Sequence, residues 1–284
     1  MRKKIFTSPL ISFLLMIVVS GFSQVSIPTA SPSQIRDFEN SITYIVKEDM
    51  LISDYNLAVE NLVNQYWNIT ETKTISATEF KEKRKNPEAS FIYMNPVYFD
   101  KDKTQTAYEY LFLSLGHPSG DPSQMPDLCA VPLAVKGADQ TEFVYKLGLV
   151  LQFMQNHVEV TKNHPSYDDE SIVDYYSDQK FFLRDKELWL MKPEIENSLH
   201  RKSEMQSVYP YPFRYVSPED IKKAIADNRD DIIIVHLITA GENRYCFKML
   251  VNAGNADLYY YDYHKINSRK PSVLLEKDLK KFAK

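Results

Sequence analysis

The spacing of apolar residues along the chain switches between a helical and a strand period, which predicts an α+β fold. A first helix should begin at Asp54, which can cap it. Its apolar side carries Leu57, Leu62, Val63, Tyr66 and Trp67. Ser76 and Glu79 form a capping-box pattern that opens a second, short helix. A longer amphipathic helix is predicted from near Thr141.

The second half contains the same kinds of element. Pro193 can occupy the first turn of a helix that runs to Gln206. Ser217, with Asp220 three residues on, caps another helix, and Ser272 opens a closing helix. The strands predicted in the whole chain are 43–46, 90–94, 106–115, 128–135, 188–191, 230–238, 244–251 and 257–264.

The order of these elements indicates an internal duplication. A shift of 141 residues lays 75–94 over 216–235, so that Ser76 meets Ser217 and Phe80 meets Ile221. Any two αβ units share caps and strands, which is the alternative explanation. We predict two similar β-α-β-α-β-β-β-α units packed into one globule. The first covers residues 35–162, a polar linker covers 163–186, and the second unit covers 187–284.

The first 23 residues are typical of a signal peptide. The basic start Arg2-Lys3-Lys4 precedes an apolar run over 10–19, and Gly21-Phe22-Ser23 has small residues where a signal peptidase cuts. A retained membrane anchor is the alternative, but the run has about ten residues whereas a span needs about 20. We expect an exported protein, periplasmic or extracellular, with no stable membrane span after cleavage and a flexible leader over 24–34.

Charge narrows the choice of partners. The chain of 284 residues has a formal net charge of −4, and loss of Arg2-Lys3-Lys4 leaves 31 basic against 38 acidic residues, or −7. Affinity for nucleic acid or anionic lipid depends on clustered Lys and Arg, so we expect neither partner. The length that remains after cleavage suits one large domain or two small ones. Hydrophobic residues make up 44% of the chain, which supports a packed core and argues against disorder.

Two cysteines, Cys129 and Cys246, would enter an oxidising compartment after export, which permits a disulfide. Two cysteines in a chain of this length are not a disulfide framework. Each lies in an apolar strand-like run, where a free cysteine behaves as a small core residue. Neither has a basic neighbour that would lower its pKa and make it a nucleophile.

The chain contains few motifs that carry chemistry. It has only seven glycines and neither of the two glycine-rich phosphate loops, so we expect no nucleotide cofactor. It lacks the Gly-x-Ser-x-Gly elbow of the α/β-hydrolases, and its six histidines form no zinc-helix motif. Two carboxylates that are far apart in sequence leave no signature, so glycoside hydrolysis stays an open alternative.

The best candidate for a catalytic cluster lies in the second half. His236 ends one predicted strand, while Asp262 and His264, two residues apart, share a face of another. If those strands were neighbours, the three side chains could hold a metal or orient a general base. The alternative is that each histidine is a hydrogen-bonded residue at the rim of a strand.

Aromatic residues are unusually frequent, with 19 tyrosines. Strand alternation predicts that Tyr259, Tyr261 and Tyr263 share one face. Such a face can stack on sugars or anchor a protein partner. The favoured alternative is that a helix of the same unit, such as the closing helix after Ser272, covers at least one of these rings.

Two resemblances add expectations. The start of the chain and the Gly21-Phe22-Ser23-Gln24 junction resemble exported proteins of the Bacteroidetes group. Tyr44-Ile45-Val46-Lys47 and Tyr259-Tyr260-Tyr261-Asp262-Tyr263 are similar to segments of secreted proteins from those bacteria that have no known activity. The order of the elements is also loosely similar to the N-terminal domain of the translocation protein TolB, which implies a similar architecture and nothing about activity.

These observations favour a non-enzymatic function. We expect an exported binding or scaffolding protein of the cell envelope that needs no cofactor or metal and whose partner is an envelope protein or a glycan. The alternative is a hydrolase or metal-dependent enzyme that uses His236, Asp262 and His264.

Overall fold

A computed structural model describes residues 26–99, 106–241 and 244–283. The predicted signal peptide and its cleavage site lie outside the described residues. A short helix, α1 (Pro32–Glu39), precedes the first unit. The elements of that unit are β1 (Ile42–Val46), α2 (Asp54–Tyr66), β2 (Glu71–Ile75), α3 (Ala77–Lys83), β3 (Ala89–Tyr98), β4 (Ala107–Leu115), β5 (Asp127–Val135) and α4 (Leu147–Asn163).

The second unit follows a connecting helix, α5 (Ser171–Asp178). Its elements are β6 (Glu187–Leu190), α6 (Lys202–Val208), β7 (Phe213–Tyr215), α7 (Pro218–Ala226), β8 (Ile232–Ile238), β9 (Tyr245–Asn252), β10 (Leu258–Lys265) and α8 (Glu276–Phe282). Both units therefore have the predicted order of elements.

The two sheets have the same topology. The first has strand order β2-β1-β3-β4-β5, and the second has β7-β6-β8-β9-β10. In each sheet the first three strands run parallel, and the last two continue antiparallel. Each strand of one unit thus matches the strand in the same position of the other, in place and in direction. The predicted α+β fold of two similar units is confirmed.

Local sequence signals explain where several helices begin. Ser76 and Ser217 are N-caps, each in a capping box with the acid three residues on, as predicted. Helix α2 is capped by Ser53 instead of Asp54, because the Ser53 side chain accepts a hydrogen bond from the Asn56 backbone. Leu57, which we expected on the apolar side of that helix, is instead 71% exposed.

Other helix boundaries differ from the prediction. Helix α8 begins after Leu275, while the Ser272 hydroxyl accepts a hydrogen bond from the backbone of Ala240. The helix expected from Pro193 is interrupted, because two short 3-10 helices precede α6. Those 3-10 helices are Lys192–Glu194 and Asn197–Leu199.

The leader, which we expected to be flexible, and the polar linker are both packed segments. Ile27 is buried, and Pro28 accepts a hydrogen bond of 2.7 Å from the ring of His157 on α4. The described part of the leader therefore belongs to the fold. The segment expected to be a polar linker forms α5 and a 3-10 helix, Gln179–Asp185, that pack against β10 and bury Ile172 and Leu183.

The cores of the two units are continuous. One buried cluster joins Ile92 and Leu111 of the first sheet through Leu151 of α4 to Ile234 and Met249 of the second sheet. This face of the second sheet is called the inner face below. Its outer face packs on α6 and α8. Both cysteines are free and buried: Cys129 belongs to the cluster that joins the units and Cys246 to the outer face.

Candidate functional site

The structure does not bring His236, Asp262 and His264 together. His236 is paired with Met249 across β8 and β9, so its side chain lies on the inner face. Asp262 and His264 share a face as predicted, but their partners on β9 are Lys248 and Cys246, which point to the outer face. The sheet therefore separates His236 from the other two residues.

Each of the three side chains also has its own hydrogen-bond partners. His236 donates from Nε2 to the carbonyl of Pro132 in the first unit (2.8 Å), and burial lowers its pKa to about 3. Asp262 accepts from the hydroxyl of Tyr260 (2.7 Å) and the ammonium of Lys281 (2.9 Å). These contacts are structural, and the strand register keeps the three side chains of the candidate cluster apart.

His264 is likewise fixed by a backbone contact. Its Nε2 donates to the carbonyl of Pro271 (2.8 Å), which holds the loop before α8 against the sheet. Burial lowers the pKa of His264, and the neighbouring Lys248 lowers it further. Among the residues that the structure describes, no group of three or more His, Cys, Asp or Glu side chains is arranged to hold a metal ion.

The three tyrosines of β10 do not form one exposed face. A β-bulge lies between Leu258 and Tyr260, and it shifts the pairing of the strand by one residue. Tyr261 packs in the cluster that joins the two units, whereas Tyr259 packs with residues of the outer face. Tyr259 is 6% exposed, Tyr261 3% and Tyr263 38%. Two of the three rings are therefore part of the core.

A groove between the units is a site that the sequence did not predict. This inter-unit groove has a cavity volume of about 530 Å³. Helix α2 of the first unit and helix α7 of the second form its walls, and Val144, Tyr145 and Gly148 form its floor. The remaining lining residues are Asp54, Ala58, Asn61, Leu62, Gln65, Tyr66, Thr141, Pro218, Glu219, Lys222, Ile225 and Ala226.

The groove combines an apolar interior with a charged rim. Leu62, Tyr66, Val144 and Tyr145 are only partly buried, so apolar surface remains accessible on its floor and first wall. Its charged lining groups are Asp54, Glu219 and Lys222. An apolar cleft with a few polar groups at its edge is the usual form of a binding site.

Buried charges hold the floor of the groove against the second unit. Lys146, next to Tyr145, donates to the carbonyl of Val235 on β8 (3.1 Å) and lies 3.6 Å from Glu194. Burial lowers the pKa of Lys146, but the attraction of Glu194 and Tyr145 outweighs this, and the net shift is upward. The lysine therefore stays charged and fixes the two units at this point.

An apolar loop lies beside the groove. Met50, Leu51 and Ile52 are exposed immediately before α2, and Leu51 is fully exposed. The side chain of Gln140 pins this loop, since it donates to Glu48 (2.6 Å) and accepts from the backbone of Tyr55 (2.9 Å). The apolar triplet after Asp49 could have been found in the sequence, but only the structure shows that all three side chains are exposed, two residues before Asp54 of the groove.

Comparison of this chain with protein-family models, with curated proteins and with solved structures gives no significant match. Within the described ranges, no helix is both long and apolar enough to cross a bilayer.

Proposed function

We propose that this protein is an exported, non-enzymatic binding protein of the cell envelope, and that it holds a helix of a partner protein in the inter-unit groove. The observation that carries this proposal is the groove itself, in which partly exposed apolar side chains lie between one helix of each unit. A groove between two helices accepts the apolar face of an amphipathic helix. Export is supported by the basic and apolar start of the chain.

The charges around the groove define the partner further. Two carboxylates, Asp54 and Glu219, and one ammonium, Lys222, line the groove, and Asp49 is exposed beside the apolar loop. The predicted mature chain is also acidic, with a net charge of −7. Complementary potentials favour association. The partner helix should therefore carry Lys or Arg beside its apolar face.

The enzymatic alternative receives no support from the geometry of the second unit. A catalytic cluster of His236, Asp262 and His264 would need all three side chains on one face, and the register of β8, β9 and β10 puts His236 on the other. The inter-unit groove lies apart from all three residues.

Two charge reversals on α7 test the binding proposal with matched variants. The probe is a synthetic Leu/Lys helical peptide, measured by calorimetry against a Leu/Glu peptide of the same length. Glu219→Lys should weaken binding of the Leu/Lys peptide by about two- to fivefold, and Lys222→Glu should strengthen it by a similar factor. Both residues are exposed, so neither variant should unfold.

Two results would contradict this assignment. The first is equal binding of both peptides, because the acidic rim would then contribute nothing. The second is that Glu219→Lys and Lys222→Glu change the affinity for the Leu/Lys peptide in the same direction, or leave it unchanged. Cell fractionation tests the export part separately: a full-length chain that retains Arg2-Lys3-Lys4 in the cytoplasm would contradict it.

A further inference from the structure

A second cavity lies on the opposite end of α4 from the groove floor and is lined by aromatic rings. It has a volume of about 250 Å³ and is bordered by α4, α5, the 3-10 helix Gln179–Asp185 and the start of β10. Five of its lining residues are aromatic: Phe153, Tyr175, Tyr176, Phe182 and Tyr259. The others are Asn156, Val160, Gln179, Asp257 and Leu258.

The rings are held in fixed positions around the cavity. The ring centroids of Phe182 and Tyr259 are 6.3 Å apart, and those of Tyr175 and Tyr176 are 5.4 Å apart. Tyr176 is fixed by a hydrogen bond of 2.8 Å between its hydroxyl and Nδ1 of the buried His157. Phe182, in contrast, is 50% exposed, so the cavity opens to solvent beside it.

Asp257 is the only residue lining the cavity, in the described part of the chain, that carries a formal charge. Its Oδ2 accepts a hydrogen bond of 2.8 Å from the side chain of Asn255. Asp257 is exposed at the mouth of the cavity, and partial desolvation raises the pKa of its carboxyl. Lys186 attracts it, but the Lys186 ammonium donates to the backbone carbonyl of Asp230.

From this arrangement we infer that the cavity is a binding site for an organic ammonium group. Aromatic faces attract a cation within about 6 Å of the ring centroid, and the attraction grows when the cation is desolvated. The carboxylate of Asp257 supplies the opposite charge at the mouth. The size suits a small ligand or the end of a side chain rather than a folded partner, so this site is independent of the inter-unit groove.

The neighbouring residue Phe181 provides a comparison for Phe182. Phe181 is also exposed, but the guanidinium of Arg184 already lies over its face, 5.0 Å from the centroid. Phe182, one residue later, lines the cavity instead. The two phenylalanines therefore form a matched pair: the Phe181 ring carries the protein's own cation, whereas the Phe182 ring lines the cavity.

The test compares choline with its uncharged isostere 3,3-dimethylbutan-1-ol on the full mature chain. Binding is followed by calorimetry and by amide chemical shifts of Tyr259 and Gln179. Choline should bind at the cavity, and the isostere should bind at least about fivefold more weakly, since a cation–π site gains from the charge. Phe182→Leu and Asp257→Asn should each reduce choline affinity by a similar factor, while Phe181→Leu should change it less than about twofold.

Melting curves establish that each variant is folded, and Asn at position 257 keeps the acceptor for Asn255. No saturable binding of choline, or equal binding of the uncharged isostere, overturns the inference. Competition by a neutral methyl glucoside as effective as choline also overturns it and indicates a carbohydrate site. An equal loss in Phe181→Leu shows that the effect does not come from the cavity.

Discussion

The ring of His236 and the carbonyl oxygen of Pro132 are 2.8 Å apart, and they belong to different sheets. Beside them, Lys146 of the first unit reaches the carbonyl of Val235 in the second. These two hydrogen bonds pair buried polar groups across the junction, where an unpaired backbone carbonyl would be costly. The position of α2 relative to α7, and so the shape of the groove, depends on this junction.

Acid should destabilise the protein through its buried histidines. Burial lowers the pKa of His157 to about 4 and that of His236 to about 3, while an unfolded histidine has a pKa of about 6.5. The unfolded chain therefore takes up protons first as the pH falls. Each histidine should cost about 3 kcal/mol of unfolding free energy between pH 6.5 and pH 4.

Denaturant unfolding of His236→Gln across this pH range checks the effect. The glutamine amide can still donate to Pro132, but it does not titrate. We expect the loss of stability in acid to be smaller than in the natural protein. A pH profile as steep as that of the natural protein would show that His236 does not contribute.

Asp127 should give stability the opposite pH dependence, with a loss as the pH rises. Burial raises the pKa of its carboxyl to about 7, against the hydrogen bond that it accepts from Ser114 (2.5 Å). The native state holds this proton where the unfolded chain, with a pKa near 3.8, has released it. Stability from this group is therefore lost as the pH rises from about 4 to about 7.

Asp127→Asn should raise the unfolding free energy at pH 8 by about 1–2 kcal/mol, because the side chain no longer ionises but still accepts from Ser114. Asp121→Asn is the matched control. Hydrogen bonds from Ser123 lower the pKa of Asp121, so Asp121→Asn should bring no gain in unfolding free energy. An equal gain in both variants would point to a general charge effect instead.

A buried ion pair should hold α8 on the outer face. Lys248 and Asp278 are in contact and fully buried, and Asp278 also caps α8 through the backbone of Leu275. Lys248→Met leaves a buried carboxylate unpaired and should cost about 3–5 kcal/mol. The double variant Lys248→Met with Asp278→Leu should cost much less than the sum of the single variants. Additive losses in a double-mutant cycle would contradict direct pairing.

The tyrosines of β10 should differ in what they contribute. Tyr261 is buried in the cluster that joins the units, so Tyr261→Ser should cost about 3 kcal/mol or more. Tyr263 is the most exposed of the three, and Tyr263→Ser should change the unfolding free energy by less than about 1 kcal/mol. Equal losses for both variants in urea unfolding would show that the two rings are equally buried.

The elements of this fold could be predicted from the sequence because they depend on local signals. Ser76 and Ser217 cap their helices through residues three positions away, and the shared order of elements followed from those caps. Helix α5 was missed because its segment is polar on average and is stabilised by packing against β10. Local composition does not report that contact.

The sites could not be predicted because they depend on contacts that are distant in sequence. The side on which His236 lies follows from its pairing with Met249, and the bulge before Tyr260 separates Tyr259 from Tyr261. The inter-unit groove exists only when α2 and α7, from different units, pack on the same floor.

Photo-crosslinking in the producing cell tests the groove most directly. A benzophenone side chain replaces Asn61, which lines the groove, or Asn64, which is exposed one turn further along α2 and faces the edge of the first sheet. We predict one dominant adduct from position 61 that is weak or missing from position 64, with the crosslinked peptide mapping to an apolar helix flanked by Lys or Arg. Equal adducts from both positions, or an acidic or non-helical crosslinked segment, would contradict the account.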